Sequence, residues 1–260
     1  MRISLQSCNT FVSYSNVFTV MLEQLNPDNV LFLDIETVPQ YSQYDDMDDR
    51  WKLLWNKKAA SLAKNQESPE ELYNRAGIYS EFGKIICISV GFLTRNGKNW
   101  SFRVKSFYGH DEKKLLSEFS ELLTSRYSDT GKCLCAHNGK EFDFPYLGRR
   151  MLINGLRLPY ILDLAGKKPW EVNHIDTMEL WKFGDFKNYT SLELLSAVFD
   201  IPSPKDDIDG SQVFGVYYKE KDGLERIKTY CEKDIVTLAR IFLKFTGNGQ
   251  VEEEDIVKLN

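Results

Sequence analysis

The sequence predicts an α/β domain built on a mixed sheet flanked by helices, and three observations carry the prediction. First, Val30 to Leu33 is an apolar run that continues into Asp34-Ile35-Glu36-Thr37 and is bounded by Pro39, the pattern of a strand covered on both faces. Second, the β-rich runs Lys84 to Leu93 and Trp100 to Tyr108 flank Asn96-Gly97, a strong hairpin turn signal. Third, stretches of helical period then alternate with short apolar ones. The order becomes β-β-β-α-β-α-β followed by helices, a mixed sheet of five strands. At 260 residues and 42% hydrophobic, the chain can bury one large core.

Residues 1–20 carry one Arg and no sustained apolar core, so they do not make a secretory signal. They are expected to be a poorly ordered extension, with a single domain over 21–246 that begins at Met21. Asp45 to Tyr79 is polar, with Trp51, Leu54, Ala59, Leu62, Leu72 and Ala76 near helical spacing, and reads as one or two helices inserted between strands. Asp111 can cap a helix to Tyr127 that carries Leu115, Leu116, Phe119, Leu122 and Leu123 on one face. Lys132 to Ala136 is a short buried strand. A helix follows from Phe144 to Asn154, where Asn154-Gly155 is a stop signal. A strand near Asn173 to Asp176 and helices over Leu192 to Phe199 and Leu224 to Phe245 complete the domain. Residues 247–260 read as an acidic tail.

Composition narrows the function. Thirty-eight acids against 33 bases give a net charge of −5, which does not suit a protein that coats duplex DNA by charge alone. A small footprint on a strand end needs few phosphate contacts and stays open. Five cysteines, an odd number without a Cys-x-x-Cys pair, argue against a disulfide framework and a zinc site. Cys133 and Cys135, on one face of a short strand, read as reduced core residues, and a reducing cytoplasm fits. No run approaches the roughly 18 apolar residues of a membrane span.

The acids of the first strand are the chemical signal. Side chains alternate along a strand, so Asp34 and Glu36 point to the same side. Two carboxylates that close repel, and partial burial adds a desolvation cost. A wet strand end would explain an isolated pair, but two further acids converge on the same chemistry. Asp143, in Asn138-Gly139-Lys140-Glu141-Phe142-Asp143-Phe144-Pro145-Tyr146-Leu147, falls where a helix begins, with Pro145 in its first turn. It could be a plain N-cap. Asp234, in Tyr230-Cys231-Glu232-Lys233-Asp234, falls inside the stripe Ile227, Cys231, Ile235, Leu238 and Phe242. An acid on a core-facing stripe is costly unless paired or bound to metal. Tyr230, one turn earlier, can reach the same point. Oxygen-only ligands of this kind suit two divalent cations, Mg²⁺ or Mn²⁺, roughly 4 Å apart and clamping a phosphoryl displacement.

These three motifs, in order, resemble those of the DEDD (DnaQ-like) superfamily of 3′-5′ exonucleases, in the subclass whose third motif carries Tyr. Phe-Asp-x-Pro-Tyr and Tyr-Cys-x-Lys-Asp are most similar to the proofreading domain of family B DNA polymerases. More narrowly, the chain resembles the stand-alone bacterial predicted 3′-5′ exonucleases related to that domain, over about residues 28–245. The resemblance implies a ribonuclease H-like fold. It implies Asp34, Glu36, Asp143 and Asp234 as metal ligands and Tyr230 as the residue that orients the attacking water. The implied reaction is two-metal hydrolysis of single-stranded DNA 3′ ends to nucleoside 5′-monophosphates. RNA is the alternative substrate, and a catalytically lapsed nucleic-acid-binding or adaptor module the alternative class.

Other candidates have competing roles. Thr37, Asn138 and Phe142 are substrate-binding candidates, with core packing the competing role for Phe142. Asp176 is either a group behind the ligands or a helix N-cap. His137 lacks metal-ligand spacing and reads as structural. Lys167-Lys168-Pro169-Trp170 combines charge with an aromatic, the chemistry of single-strand binding, although a solvated turn has the same composition. Asp206-Asp207-Ile208-Asp209-Gly210 lacks the Glu of a calcium loop and is rejected.

Overall fold

In a computed structural model, residues 22–97, 99–185, 189–203 and 207–259 are described. The expected extension at 1–20 lies outside them. Six strands form one sheet: β1 (Val30–Pro39), β2 (Gly83–Asn96), β3 (Asn99–Tyr108), β4 (Cys133–Ala136), β5 (Ile175–Asp176) and β6 (Ile256–Lys258), in the order β5-β4-β1-β2-β3-β6. β2 is antiparallel to β1 and β3, while β4 is parallel to β1, β5 to β4, and β6 to β3. The sheet is therefore mixed, with β2 alone reversed and β1 at its centre. The hairpin turns at Gly97, whose φ of +61° is cheap only without a Cβ. This is the ribonuclease H-like α/β arrangement that the resemblance implies.

The expected count was five strands, and the sixth lies in the supposed tail. Ile256–Lys258 pairs with Phe102–Val104, and Lys258 reaches Glu232 at 2.6 Å. Three alternating residues beside a run of acids give almost no periodic signal, so only the partner strand makes them β.

Helices cover both faces: α1 (Asp49–Ala60), α2 (Glu112–Arg126), α3 (Asp143–Ile153), α4 (Thr177–Trp181), α5 (Leu192–Val198), α6 (Val213–Lys219) and α7 (Gly223–Thr246). Asp111 caps α2 through the Lys114 N–H, as its sequence position requires. The short helix α6 was not anticipated. In the insertion, α1 and a 3-10 turn at Tyr73–Ile78 build a small core in which Trp55 is fully buried and Leu54 is exposed, one position from the expected face.

The alternation of β1 divides the main core. Leu31, Leu33 and Ile35 pack with Leu116 and Phe119 of α2 and Phe144 and Leu147 of α3. Val30 and Phe32 face Leu238 and Phe242 of α7. Two or three bulky side chains on each face of the central strand remove it from water, at about 1.5–3 kcal/mol each. Asp34 and Glu36 follow Phe32 on the α7 side.

Candidate active site

The acids meet on the middle of β1, just past the point where its pairing with β4 ends. Asp34 lies opposite Ser89 and Glu36 opposite Cys87 on β2, and a register shift follows Glu36. Asp34 is half-buried and Glu36 buried. α7 crosses this face with Ile227, Cys231, Ile235, Leu238 and Phe242 all buried, as the helical projection requires. Asp234 is buried with them, only 8% exposed.

Asp143 arrives from the neighbouring strand. β4 pairs with β1 only as far as Phe32, so the next N–H groups on that edge of β1 have no strand partner there. The Ile35 N–H donates to Asp143 Oδ1 at 3.2 Å instead. Asp143 is therefore not the plain N-cap that its position at a helix start allowed. It is the first residue of α3, Phe142 occupies the cap position, and the carboxylate reaches across to β1.

The loop that carries Asp143 is tightly specified. A Cβ on Gly139 would lie 2.4 Å from the Ala136 Cβ, so only glycine fits. Asn138 holds φ +64°, a left-handed conformation that Asn tolerates. Asp176, 3% exposed, accepts N–H groups from Asn138 (2.9 Å), Lys140 (3.1 Å), Met178 (3.0 Å) and Glu179 (3.3 Å). It is thus the expected N-cap of α4 and also the clamp on this loop.

Burial is the largest influence on Asp34, Glu36 and Asp143, and mutual repulsion adds to it. It raises Asp34 well above the ordinary carboxylate range, with Asp234 and Asp143 adding repulsion, while a hydrogen bond from Cys231 opposes the rise. It raises Glu36 likewise, with Asp34 and Asp234 next. Asp143 is pushed up to about 7 by burial, against hydrogen bonds from backbone N–H groups, with Asp176 and Asp234 adding repulsion. Burial, then Asp234, Glu36 and Asp34, raise the Tyr230 hydroxyl, which also hydrogen-bonds Asp234. Tyr230 is therefore a neutral phenol at pH 7.

Cys231 belongs to this cluster too, which its place on an apolar stripe concealed. Its sulfur lies 3.2 Å from Asp34 Oδ2, and one ligand atom each from Asp34, Glu36 and Cys231 fall within 4.8 Å of one another. Burial and then Cys87 raise its pKa, so it stays a protonated donor to Asp34. Behind them, the Ser89 and Ser106 hydroxyls lie 2.9 Å apart, and Ser106 donates to Glu232.

The other candidates fall around this centre. Thr37 donates its hydroxyl to Gly77 O at 2.9 Å, tying the end of β1 to the insertion. Phe142 is partly buried against Tyr146, and Asn138 is partly exposed beside a groove. His137 has both ring nitrogens engaged, by Thr177 Oγ1 and Thr190 O, which fits its structural reading. Of the rejected calcium pattern, Asp206 lies outside the described residues and Asp207 pairs with Arg226.

The family model for predicted 3′-5′ exonucleases related to the exonuclease domain of PolB matches residues 78–259, well over half the chain. The chain belongs to that family. Family membership makes it a nuclease. The match spans the Asn138–Leu147 and Tyr230–Asp234 motifs but begins after Asp34 and Glu36, which the sheet brings to them. No curated protein matches the chain. Among solved structures, the family B DNA polymerase from the hyperthermophilic archaeon Pyrobaculum calidifontis aligns with TM-score 0.48 and 14% identity over 83% of this chain and 24% of its own. A product-bound exonuclease I aligns at 0.38 and 12% identity, over 82% and 44%. The zinc-bound E. coli exonuclease I–single-stranded DNA complex aligns at 0.38 and 11%, over 84% and 42%. This chain thus spans about a quarter of that polymerase and less than half of exonuclease I. Among the described residues, no helix is long and apolar enough to cross a membrane.

Proposed function

We propose that the chain is a metal-dependent 3′-5′ exonuclease that hydrolyses single-stranded DNA ends to nucleoside 5′-monophosphates. The observation that carries this is the convergence of four mutually repelling carboxylates from β1, α3 and α7. Asp34 and Glu36 are surrounded there by further acids and thiols, and both are driven toward protonation. Left without a counter-charge, such a cluster only destabilises the fold. An all-oxygen set of this kind fits Mg²⁺ or Mn²⁺.

In this reading Asp34, Glu36, Asp143 and Asp234 hold two divalent cations. Bound there, such ions would lower the pKa of water and stabilise charge on the phosphoryl oxygens. Tyr230, a neutral phenol beside Asp234, orients the attacking water by hydrogen bonding and is too weak a base to deprotonate it. Cys231 fixes the Asp34 carboxylate through its S–H donor. Asp176 fixes the loop behind Asp143. The family's relation to a polymerase exonuclease domain supports DNA as substrate.

The test is incubation of 5′-labelled single-stranded DNA, duplex DNA and RNA with Mg²⁺ or Mn²⁺. Laddering from the 3′ end of single-stranded DNA, abolished by Asp34→Ala and by Asp234→Ala, is expected. Binding without degradation would favour a nucleic-acid-binding module, and degradation of RNA alone would reassign the substrate.

A further inference from the structure

Beside the acid cluster the surface holds a groove of about 380 Å³, lined by Asn138, Lys140, Pro145, Lys167, Pro169 and Lys182 among others. It unites three stretches that sequence reading kept apart: the loop before α3, the Lys167–Trp170 turn and the end of α4. Asn138, Lys140, Glu141 and Pro145 lie on either side of Asp143 in the chain, so the groove borders the loop that delivers Asp143.

Its chemistry is that of a polyanion with flat, stackable groups. Lys140 is paired with Glu179 at 2.6 Å, but Lys167 and Lys182 form no ion pair among the described residues. Glu141, Asp176 and Glu179 balance the three lysines of the lining, so the groove is neutral overall and Lys167 and Lys182 are the cations left to meet phosphates. At the adjoining turn, Trp170 is 76% exposed with the Lys168 ammonium 5.3 Å from its ring centre. Tyr160 is 65% exposed with the Lys167 ammonium 5.9 Å from its ring. Exposed aromatics with cations beside them match the requirements of an unpaired strand, whose bases stack and whose phosphates take charge. Asn138, whose Oδ1 is buried without a hydrogen-bond partner, also lines the groove.

We propose that this groove binds the part of a single-stranded nucleic acid that leads away from the terminal phosphodiester, with Lys167 and Lys182 on phosphates and Trp170 stacked on a base. The inference rests on the nuclease reading and adds to it the length of strand the enzyme grips. Processing of a long strand then depends on these residues, whereas cleavage of a substrate confined to the acid crevice does not.

The experiment compares wild type with Trp170→Ala and the double variant Lys167→Ala/Lys182→Ala, Trp170 and Lys167 being exposed and Lys182 partly exposed, with the fold checked by circular dichroism. Two substrates are used: a single-stranded 20-mer, and the p-nitrophenyl ester of thymidine 5′-monophosphate. Trp170→Ala should lower affinity for the 20-mer roughly 5- to 150-fold, the loss of one stacked base. The double variant should reduce the salt dependence of 20-mer binding by about 1.4 in log–log slope, two phosphate contacts on a single strand. Hydrolysis of the ester should stay within about twofold. Unchanged binding of the 20-mer, or an equal loss on the ester, would overturn the groove assignment. A wild-type protein that binds the 20-mer through these residues yet hydrolyses neither substrate would refute the nuclease reading alone.

Discussion

Replacing Asp143 by Asn isolates the electrostatic cost of the acid cluster. The Asp143 pKa is about 7 in the fold against an ordinary 3.8, because burial opposes ionisation and Asp176 and Asp234 repel the charge. Between those values the folded chain holds a proton that the unfolded chain has released. Stability from this group is therefore fully present below about pH 4 and is lost as pH rises through about 7. A shift of about three units corresponds to at most about 4 kcal/mol. His174, buried and lowered to about 4, titrates in the opposite sense in the same window, but it is common to both proteins and cancels in their difference. Urea denaturation in EDTA at pH 5 and pH 8 should thus show Asp143→Asn gaining on wild type by up to about 2.5 kcal/mol at the higher pH, because about a third of the effect is already lost by pH 5. Mn²⁺ should stabilise wild type at pH 8 and the variant much less. A stability difference independent of pH would refute the crowding argument, since Asp143 would then ionise as an ordinary surface acid.

Other perturbations separate chemistry from architecture. Tyr230→Phe should slow single-turnover hydrolysis by roughly 10²-fold, the cost of an attacking water no longer held in line, while DNA affinity stays nearly constant; an unchanged rate would remove the water-positioning role. Arg150→Met should destabilise the fold by about 3–5 kcal/mol in urea titrations, because it strands the buried Glu112 that Arg150 grips through Nε at 2.8 Å. Asp176→Ala removes an acceptor shared by four N–H groups and should cost roughly 2–4 kcal/mol and lower activity together, with Asp176→Asn recovering part of both.

The parts of the site that could be read from sequence are those encoded in local periodicity. Asp34 and Glu36 share a face because strands alternate, and Asp234 enters the core because its helix keeps the phase of Ile227, Cys231 and Ile235. Asp143 was placed near a helix start for the same local reason. Its hydrogen bond to Ile35, 108 positions away, depends on β4 ending early, which no window of sequence contains. The same holds for β6, a three-residue strand made by its partner, and for the Glu112–Arg150 pair, 38 positions apart. Cys231 was read as packing because the stripe around it is apolar. Its contact with Asp34 appears only when α7 lies across β1. The groove beside Asn138 is likewise a product of tertiary placement, since its lysines come from three separate segments.

The central claim is that the carboxylates of β1, α3 and α7 act as one metal-holding set. It is tested most directly by the anomalous scattering of crystals soaked in Mn²⁺, measured on either side of the manganese absorption edge. The account predicts anomalous density in contact with Asp34, Glu36, Asp143 and Asp234 together, lost in Asp34→Ala crystals. Density absent from this crevice, or held there without Asp143 and Asp234, would contradict it.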